Sequence, residues 1–219
     1  DLAIINYTSG TTSQPKGVML TSANISSNID FALENIPVFE GDRIISMLPL
    51  AHMYGMAFEF LFEFVSGMHI NFLTKMASPT ILLKALAEVK PVIIIMVPLI
   101  MEKIVRKSIM PKIQDPKVKL LMKMPVIGDS IKKKIREGLS SALGGNFYEV
   151  IIGGAALNQD VETLLRDIKF PFTIGYGATE CAPIITYSDF KESVATSCGK
   201  VVVNQELKID SPDPQNIAG

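Results

Sequence analysis

The sequence predicts an α/β protein, a mainly parallel β-sheet flanked by helices, and three observations carry that prediction. Short apolar runs alternate with longer segments of helical period, the pattern of strands joined by crossover helices. Residues 92–97 form an unbroken run of β-branched residues with one methionine, as expected of a central parallel strand buried on both faces. With 219 residues, 48% hydrophobic and 20% charged, the chain can build one domain around a substantial core.

The elements follow in order. Residues 2–5 read as a strand, followed by a polar loop and a helix on which Ile25, Ile29, Ala32, Leu33 and Ile36 recur until Pro37 closes the pattern. Residues 43–48 read as a strand ending in the loop 49–54. A largely apolar helix from about residue 56 to Val65 comes next, interrupted by Glu59 and Glu63 and ended by Gly67. Residues 70–73 form a short strand. Ser78 can cap the following helix with Pro79 at its first position, and Pro91 stops it. Beyond the central strand, Ile100, Met101, Ile104 and Val105 share one helix face. A second helix carries Ile131, Ile135, Leu139 and Leu143 opposite Lys132, Lys133, Lys134 and Arg136, and Gly144 and Gly145 end it. Residues 147–152 read as a strand running into Gly153 and Gly154. Asn158 can cap a helix with the face Val161, Leu164, Leu165 and Ile168. Residues 172–176 form a strand, and residues 206–210 a last one outside the main sheet.

Composition removes several classes of function. A net charge of −1 leaves no overall nucleic-acid footprint. Cys181 and Cys198 make no disulfide framework, so a reducing cytoplasm is the default compartment. The apolar runs are too short to span a bilayer, and no signal-peptide pattern is present. Charge is nonetheless uneven: residues 102–137 hold eleven Lys/Arg against four Asp/Glu, a local charge of +7. A solvated helical face is the plainer reading. Attraction to the inner, anionic face of a membrane or to the phosphates of coenzyme A is the sharper one. Starting at Asp1 and ending in the turn-rich stretch 211–219, the chain reads as a piece of a larger protein, so self-association through apolar surface left uncovered is expected.

Chemistry concentrates in a few loops. From Thr8 to Lys16 the chain places Thr8, Ser9, Thr11, Thr12 and Ser13 around Gly10, with one lysine. Hydroxyls, backbone N–H groups and a lysine charge make a polyanion cradle. A Walker A loop needs glycine before its lysine and Ser/Thr after it, whereas here Pro15 precedes Lys16 and Gly17 follows. An ordinary P-loop nucleotidase is therefore disfavoured. His52 in the loop Leu48-Pro49-Leu50-Ala51-His52-Met53-Tyr54-Gly55 would alone be a structural histidine more often than a catalytic one. Glu180 would alone be an acid at a helix start.

Taken together, these loops resemble the adenylate-forming superfamily of acyl-CoA synthetases, luciferases and peptide-synthetase adenylation domains. The cradle matches its phosphate-binding signature, and the stretches Leu48 to Gly55, Gly153-Gly154-Ala155-Ala156-Leu157 and Gly175-Tyr176-Gly177-Ala178-Thr179-Glu180 match its other signatures in the family's order. One departure is Ser13, where the family usually has glycine. The resemblance implies that residues 1–219 are a partial AMP-binding domain from the larger, N-terminal domain of such an enzyme. It implies ATP, Mg²⁺ and coenzyme A as the small molecules used. Thr8, Ser9, Gly10, Thr11, Thr12 and Lys16 would hold the β- and γ-phosphates, Thr179 the α-phosphate and Glu180 the magnesium. Gly153, Gly154, Ala155, Gly175, Tyr176 and Gly177 would meet the adenine, and His52 would stand beside the reacting carboxylate. The stretch Val97 to Ile104, the basic helical segment after it and Thr179-Glu180-Cys181-Ala182-Pro183 are similar to long-chain fatty acyl-CoA synthetases. Activation of a fatty acid to acyl-AMP and then acyl-CoA is the function implied. Adenylation of an amino acid or aryl acid is the alternative within the enzyme class, and a silent nucleotide-binding or assembly module lies outside it. The family's ribose-binding aspartate and second lysine are not found among these residues, so the piece alone is expected to be inactive.

Overall fold

A computed structural model describes residues 1–8, 14–75, 78–122, 124–203 and 205–210. The parallel strands β3 (Arg43–Ser46) and β4 (His69–Phe72) pair with each other, as do β5 (Ile93–Met96), β6 (Glu149–Ile152) and β7 (Phe172–Ile174). One bond, Val92 N–H to the Arg43 carbonyl at 3.0 Å, ties the two ladders edge to edge. The strand pleat sends alternate residues to opposite faces, and β5 shows this cleanly. Ile94 and Met96 enter one apolar core while Ile93 and Ile95 enter the other. Every residue of β5 is buried, as the uninterrupted apolar run requires.

Helices cover both faces. On one side pack α4 (Pro79–Val89), α5 (Pro98–Ser108), α8 (Ile127–Ala142) and α9 (Gln159–Asp167), whose Leu82, Leu86, Met101, Val105, Leu139, Val161 and Leu165 fill the first core. On the other lie α1 (Ser22–Asn35) and a continuous helical rod of α2 (Met53–Met56), a π-helical turn (Ala57–Leu61) and α3 (Phe62–Val65). Thr21 opens α1 with a reciprocal cap, its hydroxyl accepting from Asn24 N–H while the Asn24 side chain accepts from Thr21 N–H. Ser78 caps α4 at Ile81 N–H, as expected.

Several expectations are corrected. Lys16 is not in a loop that leads straight to a helix. It begins β2 (Lys16–Thr21), which pairs antiparallel with β1 (Leu2–Thr8) in register Thr8 to Lys16, because Val18 and Leu20 alternate inward and continue the apolar pattern of β1. The rod starts at Met53 rather than Met56. Asn158 precedes α9 but gives no side-chain cap; its carbonyl accepts from Val161 and Glu162 instead. The strand ending at Tyr176 breaks after Ile174, and Tyr176–Gly177 forms β8, which pairs antiparallel with β9 (Ile184–Tyr187), itself paired with β10 (Lys200–Val201). Residues 206–210 are not a strand. Between the two helices expected in the basic segment lie two further short ones, α6 (Met110–Ile113) and α7 (Pro116–Met122).

Candidate active site

The carboxyl ends of β3, β5, β6 and β7 open into one cleft of about 420 Å³. This is where open α/β sheets bind ligands, because helix and loop starts converge there. One rim is polar backbone: Gly153, Gly154, Gly175, Gly177 and Thr179 line it together with the half-exposed ring of Tyr176. The opposite depth is apolar, walled by Phe31 and Ile36 of the α1 end, Phe58 of the π-helical turn, and Ile95 and Ile151 of the sheet.

Glycine is required at one of these positions and fits tightly at another. A Cβ on Gly177 would stand 2.3 Å from the Pro183 carbonyl, so β8 could not lie against β9. A Cβ on Gly153 would meet the Tyr54 ring at 3.0 Å. Tyr54 fills that space and donates its hydroxyl to the Ile151 carbonyl at 3.2 Å. Burial raises its phenol well above the ordinary value, with Glu59 and Glu149 adding to the effect.

The His52 loop is fixed from below by a buried acid. Glu59, fully buried, accepts N–H groups from Met47 at 2.8 Å and Leu48 at 2.7 Å through one carboxylate oxygen. Burial pushes its carboxyl up to about 7, against the pull of those two N–H donors. A π-helical turn here re-aims the rod by one residue, a feature that recurs at functional sites. On the far side of the cleft Tyr187 donates to Glu149, which also accepts Phe190 N–H at 3.1 Å and is pushed by burial to about 7.

The residues singled out from sequence divide into four groups. His52, Gly153, Gly154, Gly175, Tyr176, Gly177 and Thr179 come together on the cleft. Ala155 is exposed just past Gly154 and does not line it, while Glu180 is exposed one residue beyond Thr179 and makes no hydrogen bond among the described residues. Thr8 and Lys16 sit opposite one another at the end of the β1–β2 hairpin. Asn6 of that hairpin donates to the Ala51 carbonyl at 2.8 Å, and β2 lies against the 3₁₀ turn Thr179–Cys181, so the hairpin borders the same site. Ser9, Gly10, Thr11, Thr12 and Ser13 lie outside the described residues. Sequence reasoning gave no role to Glu59, Tyr54, Phe58 or Tyr187; the readable signal was an acid interrupting an apolar helix directly after the His52 loop.

The strand ends of a parallel α/β sheet are where such folds bind ligands, and here they carry glycine backbone and an aromatic ring beside a hairpin with one lysine. The chain belongs to the AMP-binding enzyme family, whose model matches residues 1–218. It is 35% identical over 199 residues to long-chain-fatty-acid–CoA ligase 4 of Saccharomyces cerevisiae, an alignment covering 82% of this chain and 28% of the yeast protein. Its fold is that of the N-terminal domain of FACL13 from Mycobacterium tuberculosis, with a TM-score of 0.66 at 21% identity, covering 91% of this chain and 43% of that one. It is also that of o-succinylbenzoate coenzyme A synthetase from Bacillus subtilis in complex with ATP and magnesium ion, with a TM-score of 0.69 at 21% identity, covering 95% of this chain and 37% of that one. The chain thus spans under a third of the length of its yeast relative.

Proposed function

We propose that this chain forms the nucleotide- and acid-binding part of a long-chain fatty acid–CoA ligase. The observation that carries the reading is the cleft itself, with a polar rim at Gly153 and Tyr176–Thr179 leading into an apolar depth walled by Phe31, Ile36 and Phe58. An adenylate fits the first part and an acyl chain the second. The ligase named for the yeast relative supports the choice of acid.

The fatty acid carboxylate attacks the α-phosphorus of ATP, a new P–O bond forms, and the bond to pyrophosphate breaks. The thiol of coenzyme A then attacks the acyl carbonyl and AMP leaves. Such transfers need positioning and charge neutralisation more than covalent help. Tyr176 and the glycine backbone hold adenine, Thr179 donates its hydroxyl to the α-phosphate, and His52 stands beside the carboxylate. The hydroxyls between Thr8 and Thr12, with Lys16, hold the β- and γ-phosphates. Glu180, an exposed carboxylate with no protein partner among the described residues, would hold a magnesium ion, which would supply neutralisation of phosphate charge. Localisation is cytoplasmic, with peripheral contact to an inner membrane face through the basic segment 102–137. The outward hairpin face, exposing Ile5, Tyr7 and Met19, favours self-association of the chain.

The test is acid-dependent exchange of pyrophosphate into ATP, run on the protein at the length of its relatives across fatty, amino and aryl acids. Exchange with long-chain fatty acids is expected; exchange with amino or aryl acids only, or with none, contradicts the reading. In the same assay Lys16→Ala should weaken ATP use by on the order of tenfold or more, since a charge-assisted contact contributes about 1.5–3 kcal/mol. Unchanged ATP kinetics would take Lys16 out of the site.

A further inference from the structure

The basic segment reads from sequence as an amphipathic helix, but the fold uses that helix differently. Leu139 of α8 and Leu143 just past its end are buried and Ile135 packs on the first core, so the later part of its apolar face is already covered. Its lysines are partly committed as well, Lys132 to Asp167 and Lys133 to Glu137.

A separate apolar surface stands next to it. Helix α7 buries none of its residues. From its end into the start of α8 the chain exposes Leu120, Leu121, Met124, Val126 and Ile127, at 67%, 38%, 44%, 79% and 44%. The turn that presents them is built tightly. Leu121 carbonyl accepts Met124 N–H, Met124 carbonyl accepts Gly128 N–H at 2.8 Å, and a Cβ on Gly128 would stand 2.3 Å from the Met122 carbonyl. Val126, a β-branched residue, is held at φ +67° there. Lys117 and Lys119 are exposed on α7 and Lys134 on α8, none of them in an ion pair among the described residues. Asp115, Asp129 and Glu137 are the nearby acids in sequence, and the segment as a whole still carries +7.

We propose that the α7–α8 turn is a lipid-docking wedge, in which Leu120, Leu121, Met124, Val126 and Ile127 enter the headgroup boundary of an anionic bilayer while Lys117, Lys119 and Lys134 meet its phosphates. Charge complementarity selects the partner: lysine is depleted from protein–protein interfaces, whereas its long stem lets an ammonium reach lipid headgroups beside a buried aliphatic cluster. The proposal narrows the membrane contact given above and rests on it; it does not rest on the identity of the acid.

The chain has no tryptophan, so Leu120→Trp supplies a single fluorophore on the wedge. With phosphatidylglycerol vesicles in low salt its emission should shift to the blue, with pure phosphatidylcholine it should not, and Phe39→Trp, exposed ahead of β3, should not shift with either. Leu120→Ser with Val126→Ser should lower sedimentation with phosphatidylglycerol vesicles by about tenfold, and Lys117→Glu with Lys119→Glu by a similar factor that disappears as salt rises. Wild-type binding with no shift at position 120, or with binding unchanged in the serine variant, overturns the wedge and leaves a broader membrane contact standing. No sedimentation of wild type with either vesicle overturns both and returns the patch to solvent or to a protein partner, and neither result touches the acid panel.

Discussion

Replacing Glu63 with methionine is expected to stabilise the chain by on the order of 3 kcal/mol at neutral pH, although it removes an ionisable residue. Glu63 lies on α3, fully buried, and neither of its carboxylate oxygens has a hydrogen-bond partner among the described residues. Burial raises its carboxyl from the ordinary 4.5 to about 9. Between those two values the folded state keeps the proton and the unfolded chain releases it. The stability this proton contributes is complete below about pH 4.5 and is lost progressively as pH rises through 9. Methionine has similar volume, no proton to lose and an affinity for apolar surroundings. Urea unfolding of wild type and Glu63→Met from pH 5 to pH 8.5 should show a stability gap that widens with pH. A gap that stays constant would mean that Glu63 is not held neutral by the fold.

Glu180→Gln should cost about 10²–10³ in acid-dependent exchange, the range for removing one preorganised group that stabilises developing charge. The side chain is exposed and bonds to no described residue, so the fold gives it no structural duty to confuse the result. Unfolding of the variant should match wild type, while the magnesium concentration needed for half-maximal exchange rises. Gln keeps the size and loses the charge, which separates cation holding from simple bulk. A variant with normal magnesium dependence and normal rate would remove Glu180 from the mechanism.

Much of the site was legible because its loops combine unusual residue types within a few positions. Gly175 to Thr179, the Gly153-Gly154 turn and the His52 loop all follow strands with strong β patterning, so their place at strand ends followed from the α/β alternation. The β1–β2 hairpin was not legible. Its second strand carries Gly17 and begins at Lys16, and the glycine and turn residues ahead of it masked a short inward alternation of Val18 and Leu20. The remote partners were also out of reach. Glu59 reaches back eleven and twelve residues to Leu48 and Met47, and Tyr187 reaches across to Glu149, contacts set by tertiary packing rather than by any local period. The strand expected over residues 206–210 does not form: its alternation is short and broken by charged residues, too weak a local pattern to decide the matter.

On the proposed function, one cleft at the strand ends would hold nucleotide on its glycine rim and the acyl chain in its apolar depth. Amide hydrogen exchange of the protein at the length of its relatives, with and without a non-hydrolysable long-chain acyl sulfamoyl-adenosine, measures it directly. Slowed exchange is expected at Gly153, Gly154 and Tyr176 to Thr179 together with slowed exchange in the α1 end around Ile36 and in the π-helical turn around Phe58. A short-chain analogue should protect the rim and leave Ile36 and Phe58 unchanged. Protection by the long-chain compound at sites away from this cleft, or at the rim alone with chain length making no difference, would contradict it.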